Sequence, residues 1–205
     1  MTLATATRPQ GLDEAARAVL FSDAHTVHTF TDEPVTDAQL SEIWDLAKWG
    51  PSAANFQPLR VLYVQSPDAR RRLVSHLHEG NQAKTLAAPA VAVLAVDTRF
   101  HEHIPYVMPP KADMKDVFEA NPAMRAPFAE FSGSIQAGYF ILAVRAAGLA
   151  AGPMGGFDKA GVDAEFFADG RLKSILVVNI GHPAAENAHH PRQPRLDPAD
   201  VLAWA

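Results

Sequence analysis

Apolar and polar positions along the first third of this chain predict two helices. Residues 12–24 have a helical composition, and Thr36 and Gln39 stand at capping-box spacing before the stretch DAQLSEIWDLAKW. In that stretch the apolar residues recur at helical spacing. Gly50 and Pro51 then stop the pattern, because neither residue continues a helix well.

Three strands and a further helix are predicted by the pattern that follows. LRVLYV predicts a strand, and Ser66 before Pro67 predicts the start of the helix PDARRRLVSHLH. Residues 90–96, AVAVLAV, are continuously apolar, which is typical of a strand covered on both faces. LKSILVVNIG predicts the last strand.

The second half contains one long helix between less regular segments. HEHIPYVMPPKADM holds three prolines and two histidines, so we expect an excursion over the surface or over a pocket. Residues 128–148 predict a long apolar helix closed by Gly148, followed by the glycine-rich loop AGPMGGFD and a short helix. Residues 182–205, with four prolines and two arginines, predict an extended tail.

Composition narrows the class of protein. The 205 residues are 48% hydrophobic and 20% charged, with no repeat and no linker, so we expect one globular domain, 1–205, with residues 1–10 loose. The net charge of −5 contains no basic block, which disfavours nucleic-acid binding. The absence of cysteine excludes disulfides, cysteine nucleophiles, iron–sulfur clusters and cysteine-based zinc sites.

The pattern of apolar runs gives no sign of a membrane protein. The first residues lack a signal-type apolar core and carry Asp13 and Glu14. Arg145 interrupts the longest apolar helix well before the ~18 residues that a membrane span needs. We therefore expect a cytoplasmic protein without a membrane partner.

A group of three glycines is the first candidate for a ligand-binding site. Gly152, Gly155 and Gly156 follow a helix and match neither G-x-G-x-x-G nor a Walker motif. They would let a planar ligand lie against bare backbone, and an ordinary helix-ending turn explains them equally well.

Four polar residues become candidate ligand contacts only when they are considered together with other motifs. Asn81 and Lys84 precede the buried strand, where an exposed helix face would also account for them. Arg192 and Arg195 lie in the tail, and a guanidinium pair can clamp a phosphate or remain solvated.

Hydrolytic and metal chemistry have weaker support. His101 and His103 form an H-x-H pair, but the full ligand set of a zinc site is not evident. Ser132 and Ser134 lie within an apolar helix and lack a nucleophile elbow.

Five motifs occur in an order that carries more information than any one of them. They are HTVHTF at 25–30, PSAANFQP after a helix, N-x-x-K before a buried strand, GPMGGFD after a long helix, and the arginine pair of the tail. Across nearly the whole chain this order resembles the FMN-dependent nitroreductase family. LFSDAHT, KWGPSAANFQP, GNQAKTLAAP and GPMGGFD are most similar to its malonic semialdehyde reductase branch, which is associated with pyrimidine breakdown.

The resemblance implies an architecture. It is an α+β fold of three layers, α/β/α, with a central mixed sheet flanked by helices, in an intertwined homodimer. The FMN site is then shared between two chains, and the loop PSAANFQP reaches the flavin across the interface.

The resemblance also implies a set of FMN contacts. Pro51, Ser52 and Ala53 would lie along the flavin ring, Asn55 would offer an amide to the flavin or the substrate, and Gln57 would hold the loop. The remaining contacts fall at the ribityl chain and pyrimidine edge (Asn81, Lys84), at flavin N5 (Pro153, Met154, Gly155, Gly156) and at the phosphate (Arg192, Arg195).

One motif departs from the family. Members commonly begin the site with Arg-Ser-x-Arg-x-Phe, whereas this chain has His25, Thr26 and His28 ahead of Phe30. Thr26 can still donate to phosphate, but a histidine with a reference pKa of ~6.5 is only partly charged at neutral pH.

The implied activity is hydride transfer from NADH or NADPH, through tightly bound FMN, to a small aldehyde such as malonic semialdehyde, giving 3-hydroxypropionate. Residues 101–115, with His101, His103 and Lys111, would supply a cation for the substrate carboxylate. Two alternatives stay open: a general nitroaromatic or quinone reductase, and a flavin-binding carrier or sensor without turnover.

Overall fold

A four-stranded sheet with the order β1-β2-β4-β3 forms the centre of the fold. The computed structural model describes residues 10–186 and 188–205. The strands are β1 (Leu59–Tyr63), β2 (Ala90–Asp97), β3 (Ala150–Met154) and β4 (Leu172–Gly181).

Helices precede, separate and follow these strands. Their bounds are α1 (Glu14–Arg17), α2 (Asp37–Ala47), α3 (Pro67–Ser75), α4 (Glu79–Ala87), α5 (Ile104–Val107), α6 (Met114–Ala120), α7 (Pro122–Ala146), α8 (Lys159–Phe166) and α9 (Pro198–Val201). A π-helical turn, Ala18–Ser22, continues α1.

The α+β class and the flanking helices are confirmed, but the expectation of a mixed sheet is wrong for this chain. Every ladder between the described strands is antiparallel. Two helices, α3 and α4, separate β1 from β2. Helices between neighbouring strands do not by themselves make a ladder parallel: α8 alone connects β3 to β4, and that pair is antiparallel as well.

The two faces of β2 carry the two halves of the core. All eight of its residues are buried. Ala92 and Leu94 pack with α2 and α7 on one face, and Val91 and Val93 pack with α3 and α8 on the other. The continuous apolar run is thus a strand covered on both faces, as predicted. A helical layer on each face of the sheet gives the three layers of the fold.

Helix α2 begins as the sequence indicates. The Thr36 hydroxyl accepts from the Gln39 N–H at 3.3 Å, and the Gln39 side chain accepts from the Thr36 N–H at 2.9 Å. Leu40 and Ile43 are buried, while Trp44, placed in the same stripe by its spacing, is 37% exposed.

The long helix α7 starts six residues before the predicted position, at Pro122, and includes Pro127. Proline suits the first helical position, and Pro127 comes early enough to remove one hydrogen bond without ending the helix. The other end is as expected, since Gly148 adopts φ +78 and its N–H donates to the Arg145 carbonyl at 3.0 Å.

Half of the predicted glycine-rich loop is a strand. Residues 150–154 form β3, which pairs with β4 over five residues. A Cβ at Gly152 would lie 2.3 Å from the Val27 carbonyl oxygen, so this glycine serves close packing of two backbone segments.

The segment around 101–114 consists of short helical turns rather than an open excursion. Phe100–His103 and Pro109–Lys111 are 3₁₀ turns that flank α5. Phe100 and Ile104 are buried with Phe118 of α6, and this apolar anchoring explains the regular backbone.

Apart from the turn α9, residues 188–205 of the tail lie in no helix or strand. Residues 189–205 are all exposed. The expectation that residues 1–10 are loose concerns positions that, except for Gln10, lie outside the described residues. Within the described ranges, no helix combines the length and apolarity needed to cross a bilayer.

A buried carboxylate ties the ends of three strands together. Asp97 is 1% exposed and accepts from Arg60 Nη2 at 2.9 Å, from Arg171 Nε at 3.1 Å and from the Arg99 N–H at 2.8 Å. Burial by itself raises the pKa of Asp97, but the bonds from Arg171 and Arg99 and the charge of Arg60 outweigh it, so the pKa is lowered.

We expect Asp97→Asn to lower the free energy of unfolding by about 2–4 kcal/mol, because two arginines lose their anion. Urea denaturation at neutral pH measures this. A carboxylate with a lowered folded pKa stabilises the fold above its unfolded pKa of ~3.9 and loses that contribution as pH falls through the folded value.

The matched control is Asp45→Asn. Asp45 pairs with Lys48 at 2.6 Å, but both side chains are exposed, so a change below about 0.5 kcal/mol is expected. Equal effects of the two substitutions would show that the Asp97 network is not a stabilising centre.

Candidate functional site

Residues distant in sequence line a cavity of about 620 Å³. They come from the segment after the π-helical turn, from α4, from the C-terminal part of α7 and from the tail. Five predicted phosphate-side residues meet there: His25, Thr26, His28, Arg192 and Arg195. Lys84, a predicted contact of the ribityl chain and the pyrimidine edge, lines the same cavity.

The lining of this cavity is cationic. Lys84, Arg145, Arg192 and Arg195 all contribute to it, and no aspartate or glutamate is among its described lining residues. Burial, and then the charge of Arg192, lowers the pKa of Arg145. Like charges at one site repel, so the cavity is suited to a polyanion that carries several acceptor oxygens.

Arg192 fastens the tail to this cavity. Its Nη2 donates to the carbonyls of Ser22 at 2.5 Å and Ala24 at 2.9 Å, and it lies 3.3 Å from His25 Nε2. The guanidinium is therefore held beside the cavity by backbone groups and keeps further N–H donors. Arg145 is anchored similarly, through Nη1 to the Leu20 carbonyl at 3.1 Å.

The two histidines of the departing motif are less easily charged than free histidine. Burial, followed by the charges of His189 and Arg192, lowers the pKa of His25. Burial, followed by those of His190 and Lys84, lowers the pKa of His28. His28 Nε2 is buried and has no hydrogen-bond partner in the described structure, so it can still accept or donate one bond to a ligand.

The loop PSAANFQP has an uncommon backbone. Ala54, Asn55 and Gln57 adopt positive φ of 45, 57 and 47 degrees, a region that residues other than glycine rarely occupy. Such backbone persists only where surrounding contacts hold it, and it concentrates at functional sites.

Side chains hold this loop in place. The Ala53 N–H donates to Ser132 Oγ at 3.1 Å, Asn55 Nδ2 donates to the Val107 carbonyl at 2.6 Å, and Gln57 Nε2 donates to Asn55 Oδ1 at 3.0 Å. Gln57 therefore fixes the loop, as predicted. The Asn55 amide already has two partners, which leaves it less free for a ligand than the sequence suggests.

The loop does not reach the cationic cavity within one chain, since none of Pro51, Ser52, Ala53, Asn55 or Gln57 lines it. A second cavity of about 540 Å³, largely apolar, lies beside the loop. Its walls include Trp44, Phe56, Gln57, Tyr63, Tyr106, Arg60 and His103.

Asn81 and Gly156 meet directly, which joins two of the predicted motifs. Asn81 Nδ2 donates to the Gly156 carbonyl at 2.9 Å. A Cβ at Gly156 would lie 2.9 Å from that same Nδ2, so a larger residue here would displace the Asn81 amide. Gly155 is exposed and its backbone is accessible to a ligand.

Pro153 and Met154 belong to β3 rather than to an exposed loop. The Met154 side chain is 7% exposed and packs in the core with Phe157 and Val177. Only its backbone is therefore available for a contact at the flavin.

His101 does not supply the expected cation. It is fully buried, and its Nε2 lies 2.6 Å from Glu119 Oε2. His103 is half exposed and lines the apolar cavity, and Lys111 is exposed. Within the described ranges no three metal-ligand side chains cluster, so the H-x-H pair does not extend to a metal site.

Among the basic residues that line the cationic cavity, sequence reasoning missed Arg145 and His190. The available signal for Arg145 was its position as a lone arginine in an otherwise apolar helical run, since a charged side chain there needs a hydrogen-bond or ion-pair partner. His190 gave no comparable signal, because it lies in a polar tail.

Known proteins resemble this chain in sequence over nearly its whole length. Residues 22–182 match the Nitroreductase family. A protein of Streptomyces coelicolor, provisionally named NADH dehydrogenase/NAD(P)H nitroreductase, is 59% identical over 190 residues, which cover 93% of this chain and 94% of the relative. A protein of Leptothrix cholodnii with the same provisional name is 47% identical over 91% of this chain and 94% of its own.

Solved structures share the fold at low sequence identity. A provisionally assigned nitroreductase from Exiguobacterium sibiricum, solved in complex with FMN, superposes with a TM-score of 0.81 and 19% identity, covering 97% of this chain and 100% of its own. A provisionally assigned NAD(P)H:FMN oxidoreductase from Staphylococcus epidermidis gives 0.79 and 21%, covering 97% and 99%. Because the family match spans most of the residues and the sequence relatives are far above 30% identity, this chain belongs to the nitroreductase family.

Proposed function

We propose that this chain is an NAD(P)H-dependent FMN oxidoreductase whose acceptor is a small aldehyde such as malonic semialdehyde, reduced to 3-hydroxypropionate. The observation that carries the proposal is the cationic cavity, which gathers the residues matching the family's phosphate contacts and holds no acid among its described lining. The names of the relatives and the FMN-bound structural neighbour support the same cofactors.

The residues of the cavity fit the phosphate end of FMN. Lys84, Arg192 and Arg195 supply charge, and Thr26 supplies a hydroxyl. The unpartnered Nε2 of His28 adds a buried polar atom that a phosphate oxygen would satisfy. When bound, FMN supplies transfer of a hydride equivalent from NAD(P)H to the acceptor, and the protein contributes position and electrostatics.

The separation of the two halves of the site supports a homodimer. The loop Pro51–Gln57 and the cationic cavity do not meet in one chain, so a flavin that touches both requires two chains. Exposed aromatic residues such as Trp49 (79%) and Phe131 (65%) would be covered in such an assembly.

The apolar cavity suggests how an acceptor is chosen. His103 is the cation of the segment 101–115 that reaches this cavity, so it is our candidate for the carboxylate of malonic semialdehyde. Arg60 lies nearby but already donates to Asp97 and to two backbone carbonyls.

A nitroaromatic or quinone acceptor is the second candidate. Trp44, Phe56, Tyr63 and Tyr106 give the same cavity aromatic walls, which suit a planar ring. The relatives' names point in this direction as well.

Dimerisation is tested by sedimentation of the flavin-loaded protein. We expect a homodimer that loses its FMN on dilution below the dissociation constant, since each half-site alone lacks part of its contacts. A monomer that keeps flavin would contradict the shared site.

Turnover is tested by anaerobic addition of NADH and then NADPH, which we expect to bleach the flavin spectrum. A bound flavin that neither nucleotide bleaches would favour the carrier or sensor alternative.

Acceptor choice is tested by comparing kcat/KM for malonic semialdehyde and for a nitrofuran. We expect the aldehyde to be preferred and His103→Gln to lower its kcat/KM by about tenfold, because a charge-assisted hydrogen bond to the carboxylate is lost. Nitrofuran turnover should change little. Lys111→Gln, which removes an exposed charge from the same segment, is the control and should change neither. Equal or better turnover of nitrofurans by the wild type would indicate a general nitroreductase.

The histidines predict a pH dependence of FMN affinity. Their pKa values in the free protein are lowered, and a bound phosphate would raise them by pairing with the charged form. Binding then takes up protons, so affinity falls as pH rises between the free and the bound pKa, and is flat outside that interval.

We expect His25→Arg to tighten FMN binding by about tenfold near pH 8 and to flatten this dependence, because the charge no longer titrates. Fluorescence titration of the apoprotein measures the effect. His182→Arg, which changes a histidine paired with Glu33 away from the cavity, is the control. A wild-type affinity that does not vary with pH would remove His25 and His28 from the phosphate ligands.

A further inference from the structure

Two pairs of imidazole rings, one stacked and one tilted, join the tail to the segment that begins the cationic cavity; both are termed stacks. His189 stacks on His25 with ring centroids 3.6 Å apart and an interplanar angle of 12 degrees. His190 lies against His28 with centroids 4.5 Å apart and an angle of 40 degrees. Two consecutive tail residues thus contact the two histidines that replace the family's arginines.

Backbone hydrogen bonds set the register of these stacks. The His28 N–H donates to the Ala188 carbonyl at 2.8 Å, and the Thr29 N–H contacts the same oxygen at 3.4 Å. Arg192 then bonds to the Ser22 and Ala24 carbonyls. The tail is therefore aligned antiparallel to residues 22–29, with its histidines between two points of attachment.

Little else holds the tail. Ala188 is buried, but residues 189–205 are all exposed, so burial of apolar side chains contributes little to their placement. His190 itself lines the cationic cavity together with Arg192 and Arg195. The position of both arginines consequently depends on the stacks and on the Arg192 contacts.

We propose that His189 and His190 are positioning residues of the phosphate site, which by stacking on His25 and His28 hold Arg192 and Arg195 at the cavity. This inference rests on the proposed function for the identity of the anion. The stacking itself is independent of it.

Paired substitutions separate the aromatic ring from the imidazole group. His189→Phe with His190→Phe keeps an aromatic ring at each contact and removes the imidazole nitrogens. His189→Ala with His190→Ala removes the rings. Leu196→Ala is the control, since Leu196 is exposed in the same tail and lies in neither stack.

The rate of tryptic cleavage after Arg192 and Arg195 measures how often the tail detaches from the rest of the chain, and this measurement needs no flavin. At about pH 7.5 we expect the alanine pair to be cleaved about tenfold faster than the wild type, because cleavage follows the open population. The phenylalanine pair and Leu196→Ala should be cleaved at the wild-type rate.

FMN affinity, measured by fluorescence titration, tests whether Arg192 and Arg195 are held at the cavity. At about pH 7.5 we expect the alanine pair to bind about tenfold more weakly than the wild type. His190 itself lines the cavity, so the effect of the ring alone is measured at His189, which lies outside that lining: His189→Phe should bind as the wild type does and His189→Ala more weakly.

Two results would overturn the inference: wild-type cleavage and affinity in the alanine pair, or a phenylalanine pair that is cleaved as fast as the alanine pair. A wild-type protein that binds no FMN would instead contradict the proposed function, and the cleavage rates would still decide whether the stacks hold the tail.

Discussion

Burial of β2 on both faces is the constraint on which the rest of the structure depends. Residues 90–95 alternate between the two helical layers, so this part of the strand is apolar throughout. Two elements that carry the site are placed against it: α4, which bears Asn81 and Lys84, leads into the strand, and α7, which bears Arg145, packs across it. The positions of Lys84 and Arg145 at the cavity thus derive from the core.

In the absence of a bound anion, repulsion between the cations of the cavity destabilises the fold. The protein carries a net charge of −5, yet the described lining of the cavity holds four basic residues and no acid. Like charges held together destabilise a fold until an anion neutralises them, so a bound phosphate group would stabilise this region by mass action. The backbone carbonyls that hold Arg192 and Arg145 offset part of the repulsion.

The loop PSAANFQP is a second place where the fold contains a local destabilising feature, which here is backbone strain. Three of its residues occupy the left-handed region, and the hydrogen bonds that the loop donates to Ser132 Oγ, to the Val107 carbonyl and to its own Asn55 side chain hold them there. A connection between α2 and β1 does not require such backbone. The loop lies apart from the cationic cavity within one chain, and this separation is the observation behind the proposed homodimer.

The sequence by itself determined the elements whose pattern is local: the capping box of α2, the doubly buried β2, the glycine that ends α7 and the motif order that indicates the family. It did not determine that residues 150–154 form a strand, that His101 is buried, that Arg145 and His190 line the cationic cavity, or that His189 stacks on His25. Helix caps and apolar periodicity act within a few residues of each other. A close backbone approach, a buried imidazole and a ring stack depend on groups more than a hundred positions apart or on a neighbouring layer, and only tertiary packing brings those together.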